Sequence, residues 1–213
     1  VPTQILITLT NTATTQTSPA VSVQAAISDG SATVVANIAE VAMDKPDTDL
    51  FGVSNGANPL EVLVPALSAK GIGQSTPGSG ETNTITVTLT ANYNLAAGST
   101  VTISGLTGSQ TADAGSLAVT STGGDLGTTG AWAQSSGTLV LTAASGGTTQ
   151  GTACEVTFEL TNTATTQTSP AVSVEAAISD GSATVVANIA QVAMDKPDTD
   201  LFGVSNGANP LEV

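Results

Sequence analysis

Six aspartates fall in two short runs, Asp44-Lys45-Pro46-Asp47-Thr48-Asp49 and Asp195-Lys196-Pro197-Asp198-Thr199-Asp200. Each run offers three hard oxygen ligands on a loop stiffened by proline, which is the donor type Ca²⁺ takes. The same run also suits a solvated acidic turn whose aspartate side chains accept from nearby backbone amides. The glycine and distal glutamate of an EF-hand loop are missing. Both readings stand for Asp44, Asp47, Asp49, Asp195, Asp198 and Asp200.

Other chemistry is sparse. The chain has no histidine, so it has no imidazole base, no Ser-His dyad and no histidine metal ligand. Cys154 is the single cysteine, with no base beside it in sequence, and its counterpart one repeat earlier is Thr3. An intrachain disulfide is therefore impossible. Lys70 or Lys196 beside Asn83 or Asn188 would suit a Lys–Asn isopeptide staple, but the ordinary reading is a surface lysine. These residues predict a protein that is not an enzyme, with no catalytic residues and no cofactor apart from the calcium reading.

Charge narrows the partners. The chain has 17 Asp+Glu against 3 Lys+Arg, a formal net charge of -14. So few bases cannot neutralise phosphates, which argues against nucleic acid and anionic membrane surfaces. No apolar run is long enough for a spanning helix. Hydrophobic residues make up 40% and charged residues 9%, the reverse of a disordered chain. Aromatics are only 2%, so Val, Ile, Leu and Ala must build the core.

The strongest pattern is a repeat. Thr10 to Val62 recurs as Thr161 to Val213, and the copies differ only at Gln24 against Glu175 and Glu40 against Gln191. Upstream of it, the alternating QILITLT from Gln4 is similar to EVTFELT from Glu155. The offset is domain-sized, beyond the roughly 20–50 residues of solenoid repeats. Residues 63–213 read as one complete unit, and residues 1–62 as the C-terminal portion of a preceding one. A half sandwich leaves an apolar face uncovered and edges unpaired, so a missing part must lie upstream on a longer chain or come from another molecule by strand exchange. The N-terminal Val1-Pro2-Thr3 is neither an initiator methionine nor a leader.

The elements that carry these residues read as strands. Thr82 to Thr90 alternates Ile85, Val87 and Leu89 against threonines. A flat threonine array could match ice, although one strand is no array. Thr100–Ser104, Leu117–Thr120, Thr138–Thr142, Glu155–Asn162 and Ala171–Ile178 follow. The Asp180-Gly181 pair marks a turn, and Thr184–Met194 reads as a strand with a short helix as the alternative. Leu60 to Leu67 reads as a first strand interrupted by Pro65. Glycines 105 to 130 read as turns, and Trp132 as a core anchor. Gly56 to Val62 and Gly207 to Val213 read as inter-domain joins. Eight or nine short strands per unit, without a confident helix, predict an all-β, immunoglobulin-like antiparallel β-sandwich. The Thr/Ser-rich stretches before Pro19 and Pro170 suit O-linked glycans as well as plain polar loops.

The stretch Ile85 to Thr90, followed by Leu95 to Leu106, Gly137 to Thr142 and Ser169 to Val174, resembles tandem immunoglobulin-like β-sandwich repeats. Such repeats occur in very large surface or secreted structural proteins of unicellular algae and other aquatic microbes, and bacterial adhesin repeats are similar in composition. The resemblance implies an extracellular, secreted or cell-surface location, self-association into a fibril or matrix filament, and no catalytic residues. The rival expectation is the stalk or binding module of a calcium-dependent adhesin.

Overall fold

The computed structural model describes residues 4–182 and 184–213. The chain forms two compact units, one ending at Val64 and one over Pro65–Val213. The boundary lies two residues beyond the one read from the repeat. Val64 N–H donates to Thr15 Oγ1 within the first unit, and Ala66 N–H donates to Asn92 Oδ1 within the second.

The first unit holds one antiparallel hairpin, β1 (Ser22–Ser28) and β2 (Val34–Ala42). The second unit carries β3 (Leu67–Gln74), β4 (Thr82–Ala91), β5 (Thr100–Ser104), β6 (Ala114–Ser121), β7 (Thr129–Ala133), β8 (Thr138–Thr142), β9 (Cys154–Thr161), β10 (Ser173–Ser179) and β11 (Val185–Ala193). One sheet runs β3-β4-β9-β6 and the other β11-β10-β5-β8-β7-β6. β6 belongs to both: Ala114, Leu117 and Ala118 pair with β7, whereas Val119 to Ser121 pair with β9. The strand changes layers between Ala118 and Val119, after a register shift between Ala114 and Leu117.

This is the immunoglobulin order. β3, β4, β9 and β6 take the places of strands A, B, E and D, and β5, β10 and β11 those of C, F and G. The hairpin β7–β8 is an addition that widens the second sheet beyond β5. After β11 the chain crosses to the first sheet, where Asp195 makes a parallel bridge with Gly71 of β3. That bridge covers the β3 edge, which would otherwise template pairing with another chain.

The core follows from period-2 alternation. Ile85, Val87 and Leu89 of β4 meet Val156, Phe158 and Leu160 of β9, and across the sandwich Val101, Ile103, Leu139, Leu141, Val174 and Ile178. Trp132 sits in β7 and donates from Nε1 to Thr111 O at 3.0 Å, so its polar end is paired within the core. The Thr184–Met194 stretch forms the strand β11 over Val185–Ala193, not a helix.

Two expectations of the sequence fail here. The first strand of the unit is β3, starting at Leu67, and Leu60 to Ala66 contains no strand. Gly115 and Gly130, taken as turns, lie inside β6 and β7. A Cβ on Gly130 in β7 would come within 2.7 Å of Leu139 Cδ1, so only glycine lets the neighbouring leucines close over that strand. Gly73 of β3 has the 197–208 segment beside it, with Ala208 O in ordinary contact at 3.4 Å from where its Cβ would be.

Gly207 to Val213 is no linker either. Leu211 and Asn209 are buried, and this stretch is tied to the end of β3. Gln74 N–H donates to Ala208 O, Gln74 Nε2 donates to Gly207 O and Glu212 O, and Leu211 N–H donates to Gln74 Oε1. The chain thus enters the second unit at Leu67 and finishes beside Gln74, the opposite end of β3. At about 3.3 Å per residue these ends are roughly 23 Å apart.

Candidate functional site

The two copies of the repeated segment have the same internal geometry. β1 pairs with β2 in the same register as β10 with β11, with bulges at the same places. Gln16 N–H donates to Val62 O at 2.8 Å, and Gln167 N–H donates to Val213 O at 3.0 Å. Ser18 N–H meets Glu61 Oε2 as Ser169 N–H meets Glu212 Oε2, both at 2.6 Å. Lys45 Nζ donates to Ser18 O, and Lys196 Nζ to Ser169 O.

They differ in what covers them. Ile178 is 0% exposed and its counterpart Ile27 is 45% exposed; Ile189 is 2% and Ile38 53%. Phe158 of β9 is 3% exposed, while Ile7 at the matching position is 71% exposed. In the second unit the cover is the β3–β8 body. β10 pairs with β5 from Ser173↔Ser104 to Ala177↔Thr100, and Ser179 N–H donates to Ser99 Oγ at 2.9 Å. In the first unit Ile5, Ile7, Leu9, Val23, Ile27, Ile38 and Met43 form an exposed apolar set. Their counterparts Val156, Phe158, Leu160, Val174, Ile178, Ile189 and Met194 are all buried in the second unit.

A buried polar triad, which the sequence did not disclose, reads the docked segment. Asn83 is fully buried and donates from Nδ2 to Gln74 Oε1 at 2.6 Å and to Asn162 Oδ1 at 2.8 Å. Asn162 donates onward to Thr76 O and Gly78 O. Asn162 belongs to the repeated segment and its counterpart Asn11 is exposed. The only sequence cue was a polar residue, Asn83, at an inward position of an alternating strand.

The acidic loops are built as turns. Asp198 Oδ1 accepts from Asn209 Nδ2 at 2.8 Å, Asp200 Oδ1 accepts from Asn206 N–H at 3.0 Å, and Asp195 Oδ1 pairs with Lys70 Nζ at 2.7 Å. In the first copy Asp47 accepts from Asn58 and Asp49 from Asn55. The exposed Asp44 is the counterpart of Asp195. Among the described residues no group of three or more His, Cys, Asp or Glu side chains is placed to hold a metal ion.

Lys70 is thus spent on Asp195 and Lys196 on Ser169 O, while the Asn83 amide is taken by Gln74 and Asn162. The structure does not bring these lysines to Asn83 as an isopeptide bond requires. Cys154 is a free, buried thiol. Burial, seconded by the Asp125 carboxylate, pushes its pKa up, which favours the unreactive thiol over the nucleophilic thiolate. Thr3, its counterpart, lies outside the described residues. Threonines do line up across strands on the outer face of the first sheet, Thr86↔Thr157 and Thr157↔Thr120, beside an open groove of about 500 Å³. Glu155 and Glu159 interrupt the array. Among the described residues no helix is long and apolar enough to cross a membrane.

No protein-family model and no curated protein matches the sequence. Among solved structures the chain is similar to AvmM, described as catalysing macrocyclization in alchivemycin A biosynthesis, with 14% identity over 62% of this chain and 92% of that one and a TM-score of 0.29.

Proposed function

We propose that this chain is part of an extracellular structural protein whose tandem β-sandwich units build a fibril or matrix filament. The carrying observation is the path of the chain through the complete unit, from Leu67 at one end of β3 to the Gln74 end where Val213 lies. A unit entered and left at opposite ends adds its length to an array each time it repeats, and the sequence repeats at that domain length. The load path is backbone ladder, held by a Val/Ile/Leu interior rather than by disulfides. Threonine-rich outer faces stay hydrated and suit O-linked glycans. The rival reading, a stalk of a calcium-dependent adhesin, shares this geometry and differs in assembly.

Electron microscopy of the native material with axial averaging tests the proposal. The expected result is a filament whose axial period matches one unit. Separate beads on a flexible string would replace the filament by a stalk, and unassembled particles inside the cell would remove both.

A further inference from the structure

Residues 4–62 align without a gap on residues 155–213. In the second unit, residues 155–213 close the sandwich by completing β9, adding β10–β11 and laying the 195–213 segment along β3. Residues 4–62 carry the same hairpin, register and loop bonds with the corresponding apolar residues exposed. We infer that residues 4–62 are a donor segment, and that its partner is an acceptor with the β3–β8 pattern of residues 65–154 that has no donor of its own. This rests on the structural reading above and names the contact by which units would be completed.

The identity of the occupant comes from the second copy, which shows what this sequence packs against. On the acceptor, the β5 edge from Thr100 to Ser104 would pair with Ser22 to Ala26, as it pairs with Ser173 to Ala177. Lys70 would meet Asp44 in place of Asp195, and Asn83 would meet Asn11 in place of Asn162. Within residues 65–213 the acceptor is already closed by residues 155–213, so the test supplies an open one.

The test refolds the full chain together with a separate polypeptide of residues 65–154. The expected product is a 1:1 complex by light scattering. Hydrogen exchange reports which donor is covered, because peptides containing Gln24 or Glu40 differ in mass from those containing Glu175 or Gln191. In the chain alone the Gln24 peptides should exchange on the order of a hundredfold faster than the Glu175 peptides, and in the complex the two should match. Ile27→Asp in the full chain leaves the second unit intact and should weaken capture about a hundredfold or more, because the carboxylate would be buried without a partner. If the separate polypeptide aggregates, a second arrangement places residues 65–154 directly before Gln4 in one chain and reads the same peptides. Gln24 peptides that stay fast in both arrangements would overturn the inference. So would capture that survives Ile27→Asp, or slow Gln24 peptides in a self-associated chain with no added acceptor. None of these results bears on whether native arrays form filaments, which microscopy reads separately.

Discussion

One isoleucine, met twice in identical sequence, shows how far context sets energetics. Ile178 and Ile27 both sit in AAISDG, at the same register of the same hairpin. Truncating a buried isoleucine loses its transfer energy and leaves a cavity, together about 2–5 kcal/mol. Truncating an exposed one usually changes stability by less than about 0.5 kcal/mol. Ile178→Ala is therefore expected to lower the denaturant midpoint of the second unit by that larger amount, and Ile27→Ala to leave it in place. Equal effects in urea melts followed by Trp132 fluorescence would mean that the two segments share a cover. No sequence property distinguishes these two residues. Their difference lies in the presence of β5 beside one of them, which follows from the position of each copy in the repeat and not from its local sequence.

At the scale of elements, strands with strict alternation were legible and strands with glycine were not. β4, β5 and β8 follow from Ile85-Val87-Leu89, Val101-Ile103 and Leu139-Leu141, whose spacing leaves one face to bury. β7 carries Gly130, where a Cβ would meet Leu139 Cδ1 at 2.7 Å and Leu141 Cδ2 at 2.9 Å. A glycine required by long-range packing looks locally like a turn residue. The β10–β11 turn was legible because its chemistry is local: Asp180 Oδ1 accepts from Ser182 N–H and Oγ–H, each at 2.7 Å. These bonds hold the Asp180 carboxyl below its ordinary 3.8, and Ser31 does the same for Asp29. A depressed carboxyl pKa contributes stability that is present above 3.8 and lost as pH falls through the folded value. Asp180→Ala should lose the turn bonds at neutral pH and remove this share of the acid sensitivity, so its melting temperature should fall less than the parent's between pH 5 and pH 3. A mutant as acid-sensitive as the parent would put that sensitivity in other carboxylates.

For the whole molecule the dominant electrostatic fact is 17 carboxylates against three lysines. Self-repulsion of such a surface destabilises the compact state, and salt relieves it by shortening the screening length to about 8 Å at physiological strength. Divalent cations relieve it as well, so a gain in stability with calcium alone would not identify a site. The geometry separates the two effects. Asp198 and Asp200 each give an oxygen to the Asn209 and Asn206 bonds that shape the loop, and Asp195 gives one to Lys70. A calcium site needs about six to eight oxygens converging at 2.3–2.6 Å, whereas each of these carboxylates is already engaged by a different partner. Calcium and magnesium at equal concentration are therefore expected to raise the melting temperature equally, and chelation after dialysis to cost nothing beyond the loss of screening. A larger rise with calcium, abolished by Asp198→Asn or Asp200→Asn, would show that the loop rearranges around the ion. The adhesin stalk would then become the better reading of the array.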